Sequence, residues 1–261
     1  MQKKLIVLLI VLLVLSSLSA KGSKEDTPKK DIVVFAAASM TETLTKLKGM
    51  YEDKNPSVNI VYNFDSSGTL KTQLEMGADC DLFLSAAQKQ MNALEEKNLI
   101  NKESRINLLE NKTALAVPKG NPKKIASFDE LARRLKEGDV FLAIGNSDVP
   151  VGQYTKKIFE YYDIDEEKVK GKLTYGSNVK EVTTQVSASA VDCGIIYQTD
   201  AFSQGLEVVD RATEAMTGGR VIYPAALLKK SSSSEAKAFL EYLKSDEAMK
   251  VFESVGFSSA L

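Results

Sequence analysis

From residue 31 onward, short β-branched and aliphatic runs alternate with stretches of helical periodicity, a pattern that predicts α/β architecture. Four junctions between the two kinds of segment share one form. "DIVVFAAAS" runs into a helical stretch with Met40, Leu44, Leu47 and Tyr51 on one face. "VNIVYNFDSS" runs into one that carries Leu70 and Leu74 and stops at Gly77. "VFLAIGNSDVP" leads to Tyr154, Ile158 and Tyr161 or Tyr162, and "LTYGSN" to Val179, Val182 and Val186. At each junction, small or polar residues stand where the strand ends and the helix begins.

Capping chemistry accounts for part of this. Ser39 with Glu42, Asn178 with Glu181 and Ser232 with Glu235 have capping-box spacing, and Pro150 suits a first helical turn. Taken alone, Ser39 reads as a helix cap. The junctions, however, fall into two pairs, within 31–70 and 140–180, which predicts two similar α/β lobes. In open α/β sheets, ligands sit beyond the carboxyl ends of the strands, where helix N-termini point. Those termini expose unpaired N–H groups and the positive end of the helix dipole. Two such lobes, face to face, would surround a small anion without any charged side chain.

"INLLENKTALAVPKG" (106–120) and "GRVIYPAALLKK" (219–230) read as outward and return crossovers between the lobes. Two helices follow, one with Phe239, Leu240 and Leu243 on its apolar face and one opened by Ser245 and closed by Gly256. The expected organisation is a leader over 1–20, a solvated lead-in over 21–30, a first lobe over 31–110 and a second over 111–218. Residues 219–261 then return and pack on the first lobe.

The leader carries Lys3 and Lys4, an unbroken aliphatic run from Leu5 to Leu15, and small residues up to Ala20. That is the layout of a cleavable signal peptide ending near Ala20, its apolar run too short to span a bilayer, so export is expected. No Cys adjoins the cleavage point, and lipid attachment there is not expected. Basic and acidic residues balance at 34 against 35 with no basic stripe, which argues against a nucleic-acid partner. Cys80 and Cys193 are too few for a disulfide scaffold and read as small buried hydrophobes, while an oxidising compartment would permit a bridge between them. The chain has no His, which removes the commonest general base and metal ligand. Two S-x-x-K matches, Ser177 with Lys180 and Ser234 with Lys237, lack their companion motifs, and no G-x-S-x-G occurs, so an enzyme is not expected. Asp79, Cys80 and Asp81 are neighbours on an extended chain and cannot converge on a metal. The tyrosine pair at 161 and 162 reads as helix packing rather than a ferric site.

Four segments in this order, "VFAAAS", "SSGTLKTQLEMGADCDLFLSA", "VPVGQYTKK" and "GIIYQTDA", resemble the periplasmic molybdate-binding proteins. These are the extracytoplasmic receptors of molybdate ABC transporters, and the resemblance spans nearly all of the mature chain. It implies a bilobal periplasmic-binding-protein type II fold whose cleft closes on molybdate or tungstate, with no cofactor, a monomeric state and a membrane permease as partner. It assigns the oxyanion to Ser39 and Ser67, to the backbone N–H groups of Val151 and Val179, and to the Tyr197 hydroxyl. Molybdenum is then held as its oxyanion, with no metal directly coordinated. Gly68 stands where Ser or Thr is commoner and is expected to matter little. Asp65 and Lys180 are expected to face solvent.

Molybdate is a fully deprotonated tetrahedral dianion near neutral pH and needs only donors. Hydrogen phosphate would bring a proton to a place lacking an acceptor, at a cost on the order of 1–3 kcal/mol. Sulfate is also fully ionised and must be rejected by size, so a receptor for sulfate or another small oxyanion is the alternative reading.

Overall fold

A computed structural model describes residues 29–261; the expected signal peptide and nearly all of the expected lead-in fall outside the described residues. The strands form two mixed sheets. In the first, β1 (Lys30–Ala37), β2 (Val58–Asp65), β3 (Leu82–Leu84), β4 (Ile106–Asn111), β10 (Val221–Leu227) and β11 (Ser258–Ser259) lie in the order β11-β4-β10-β3-β1-β2. In the second, β5 (Thr113–Val117), β6 (Leu142–Gly145), β7 (Leu173–Gly176), β8 (Cys193–Tyr197) and β9 (Glu207–Arg211) lie in the order β7-β6-β8-β5-β9.

The two sheets repeat one plan. Each has a parallel trio with its first strand in the middle, β2-β1-β3 and β7-β6-β8. An antiparallel strand flanks each trio, β10 beside β3 and β5 beside β8. The chain enters the second sheet through Lys112 alone, the one residue between β4 and β5, and β10 brings it back. This is the bilobal α/β fold expected from the paired junctions.

Period-two alternation explains the layering. Ile32 and Val34 point into one hydrophobic cluster together with Leu44, Leu47 and Tyr51 of the helix Thr41–Lys54. Phe35, one residue on, points to the opposite face, where it joins Leu70, Phe83 and Met91. The helices Ser234–Leu243 and Asp246–Glu253 close the first face: the ring of Phe239 meets Tyr51 edge-on, with centroids 5.0 Å apart. Burial of a side chain like Phe239 contributes about 1.5–3 kcal/mol.

Some caps sit where their spacing placed them. Asn178 accepts from the Glu181 N–H at 3.1 Å and Ser245 from the Ala248 N–H at 3.3 Å. One is shifted: Ser233, not Ser232, caps Ser234–Leu243. Both cysteines are free and buried, and burial pushes the Cys80 thiol up to about 12. Tyr161 is exposed, while Tyr162 donates to Asp129 at 2.8 Å.

The helix Pro150–Tyr161 is set tightly against the end of β6, because a Cβ on Gly152 would be driven into the carbonyl oxygens of Gly145 and Asn146. Gly152→Ala should therefore destabilise the protein by about 1–3 kcal/mol, the usual cost of overpacking, as read by urea unfolding. Unchanged stability would mean that this helix is free to slide on its sheet.

Candidate functional site

The carboxyl ends of the parallel trios face each other across a small, narrow cleft. Ser39, Ser66 and Ser67 line it from the first lobe, and Val149, Pro150, Val179 and Tyr197 from the second. A far larger groove, bordered by Gln88, Tyr154, Tyr175 and Arg220, touches none of the five residues expected to bind. The small cleft is the one that the expected residues reach.

Ser39 is not a helix cap. It lies in a 3-10 turn, Ala38–Met40, and the helix after it starts behind Met40 with no side-chain cap. The Ser39 hydroxyl instead meets the Tyr223 hydroxyl at 3.0 Å, both buried. Ser66 takes the capping role at the second junction, its Oγ accepting from the Thr69 N–H at 3.1 Å. That leaves Ser67 as the first residue of its helix, with Oγ accepting from the Ala86 N–H at 2.9 Å. With a backbone donor behind it, the Ser67 hydroxyl keeps its own proton free to give.

Val179 opens the helix Val179–Ser187 and lines the cleft. Val151 is the second residue of its helix; its side chain is fully buried, and the neighbours Val149 and Pro150 form the lining instead. Both valines still occupy first-turn positions, whose N–H groups have no partner within the helix. Tyr197 ends β8, is 1 % exposed, and its hydroxyl finds no hydrogen-bond partner among the described residues. Burial holds its pKa well above the ordinary phenol value, so it stays a donor. The structure thus brings Ser39, Ser67, Val179 and Tyr197 to one cleft and places Val151 just behind its wall.

Three expectations about neighbouring residues change. Asp65 is half-buried and lines the cleft, with Oδ1 accepting from the Ser66 N–H at 2.7 Å. Gly68 matters: its N–H donates across the cleft to the Asp148 carbonyl at 3.1 Å, and a Cβ would be driven into that oxygen. Lys180 turns inward, donating to both Glu42 oxygens at 2.8 Å across the lobes and pairing with Asp200 Oδ1 at 3.0 Å. This splits the Ser177–Lys180 pair, because the Ser177 hydroxyl donates to Glu181 at 2.8 Å.

Asp200 is fully buried, and burial pushes its carboxyl up to about 6 although the Lys180 ammonium pulls it down. Burial pulls Lys180 down in turn, but Asp200 and Glu42 outweigh it and hold the amine above its ordinary value. Tyr223 and Asn111 are neighbours of the site that no local motif marked. Each reaches it only through tertiary contact.

Residues 32–258 match the family of bacterial extracellular solute-binding proteins. The chain belongs to that family. Its members are binding receptors rather than enzymes. A Bacillus subtilis relative, which carries the provisional name ABC transporter substrate-binding lipoprotein YvgL, is 36% identical over 258 residues, 97% of this chain and 96% of its own. The molybdate-binding protein ModA of Haemophilus influenzae is 36% identical over 234 residues, 87% of this chain and 90% of its own. Among solved structures, the periplasmic molybdate-binding protein of Azotobacter vinelandii superposes with a TM-score of 0.77 at 17% identity, covering 88% of this chain and 100% of its own. The solute-binding fold is therefore shared well beyond the reach of sequence similarity.

The Asp200–Lys180 pair gives this solute-binding protein a signed pH dependence. Between the ordinary carboxyl pKa of 3.8 and about 6, the folded state holds the Asp200 proton and the unfolded chain does not. This group therefore makes stability fall as pH rises through that window. Lys180→Met should move the Asp200 titration upward, followed by carboxyl-carbon NMR. It should also cost up to about 3 kcal/mol at pH 7.5 and less below pH 5. A loss independent of pH would show that Lys180 acts through packing alone.

Proposed function

We propose that this chain is an exported receptor that captures molybdate, or tungstate, in the interlobe cleft and delivers it as a monomer to the membrane permease of an ABC transporter. The carrying observation is the Tyr197 hydroxyl, buried and unpaired beside a cleft that no Lys or Arg lines. A buried donor without an acceptor costs about 1–3 kcal/mol, and a bound oxyanion would relieve that cost. Hydroxyls of Ser39 and Ser67 and first-turn N–H groups at 151 and 179 would add further donors from both lobes. The molybdate-binding relative at 36% identity supports the choice of oxyanion.

A neutral donor set suits an ion with no proton of its own, and the helix dipoles supply positive potential without desolvating a lysine. Asp65 is the one carboxylate at the lining, and its engagement by the Ser66 N–H leaves one oxygen uncommitted. Sulfate differs from molybdate in size rather than charge, so the fit of the small cleft must discriminate between them. Closure of the lobes would bury the ion and present a form that a permease can recognise.

Melting temperature followed during titration with molybdate, tungstate, sulfate and phosphate tests this reading, since a tight ligand raises it by mass action. Molybdate and tungstate alone should stabilise the protein. Ser39→Ala and Ser67→Ala should each weaken molybdate binding by roughly 1–2 kcal/mol. A preference for sulfate would reassign the ligand, and full affinity in both variants would displace the site. Stabilisation by phosphate would assign Asp65 as its acceptor, and Asp65→Asn should then abolish it.

A further inference from the structure

Behind the cleft, four buried polar side chains form a chain of hydrogen bonds that runs through both crossovers. Asn111 ends β4, Tyr223 lies on β10, and Thr199 lies in the helix after Tyr197. The Asn111 Nδ2 donates to Thr199 Oγ1 at 2.9 Å and to Tyr223 Oη at 3.1 Å. Tyr223 Oη then meets Ser39 Oγ at 3.0 Å.

The Asn111 amide sets the direction in which the protons from Asn111 to Ser39 run. The Lys112 backbone N–H donates to Asn111 Oδ1 at 2.8 Å, and a flipped amide would set two donors against each other there. The amide nitrogen must therefore face Tyr223, and it can only donate. Tyr223 Oη accepts that bond, and burial holds its pKa well above the ordinary phenol value, so it keeps its proton. Ser39 Oγ stands within hydrogen-bond distance to take that proton. Ser39 Oγ then accepts, and its own O–H is turned away from Tyr223. Ser67 has the same arrangement, with the Ala86 N–H behind it.

We infer that Asn111 and Tyr223 are positioning residues that fix the Ser39 hydroxyl as a donor into the cleft, and so make the site selective for oxyanions that carry no proton. The inference rests on the oxyanion reading of the cleft and adds to it a source of specificity away from the ligand.

Tyr223→Phe keeps the ring that packs edge-on to Tyr197 and Phe257, at centroid distances of 5.6 and 5.2 Å, and removes only the hydroxyl. In calorimetric titrations with sodium molybdate, it should weaken binding about fivefold in the wild-type background and less than about twofold in Ser39→Ala, since coupled residues are not additive. Asn111→Asp supplies a readout that loosened packing would not move. The new carboxylate would accept from Tyr223, so Ser39 would turn its proton onto Tyr223 and offer a lone pair to the cleft.

Near pH 8, molybdate and hydrogen phosphate are both dianions, so repulsion from the new charge cancels in their affinity ratio. Only phosphate has a proton to give to that lone pair. Asn111→Asp should shift the ratio about tenfold toward phosphate, measured by competition. Additive effects of Tyr223→Phe and Ser39→Ala, or an unchanged ratio in Asn111→Asp, would overturn the relay while leaving the receptor reading intact. A wild-type protein that binds none of the tetrahedral oxyanions would overturn that reading and the relay with it.

Discussion

Hydrogen-bond donors buried where the protein supplies no acceptor are the constraint around which this molecule is organised. The Tyr197 hydroxyl is the plainest case, and the helix starts at Ser67, Pro150 and Val179 converge on the same small space. A fold rarely leaves such groups unmet, because each costs more than a typical net hydrogen bond returns. Here the two sheets repeat one topology and turn their strand ends toward each other, so the deficits of both lobes meet at one point. An anion placed there answers all of them, whereas a cation or an apolar ligand would answer none.

The lobes are joined across that point in ways that depend on their being together. The Gly68 N–H reaches the Asp148 carbonyl from one backbone to the other, and Lys180 links Glu42 in one lobe to buried Asp200 in the other. The crossover between β4 and β5 contains a single residue, Lys112, and the Asn111–Tyr223–Ser39 chain passes beside it. Any movement of the lobes would therefore bend the chain close to this cleft rather than at a distant linker.

The fold class was legible because the strand-to-helix alternation is local, and local patterning is what hydrophobic periodicity reports. The same locality explains the misreadings. Ser39 and Glu42 have capping-box spacing, but the chain makes a 3-10 turn first and the Ser39 hydroxyl goes to Tyr223, 184 positions away. Lys180 was expected in solvent because isolated lysines usually are; the buried carboxylate that holds it belongs to a different helix. Gly68 looked unimportant as one residue in a polar run, yet its hydrogen atom is what allows the opposite backbone to approach. Val179 could be placed at a helix start from Asn178 and Glu181 alone, because that cap is made within one turn.

The chain has nine tyrosines and no tryptophan, and Tyr197 sits at the interlobe cleft with its ring edge-on to Tyr223. No indole is present to collect the excitation of these rings, so ultraviolet emission from the protein is phenol emission throughout. A phenol that acquires a strong acceptor emits less. An oxyanion bound to the unpaired hydroxyl would make the protein its own optical gauge of occupancy, needing neither dye nor label.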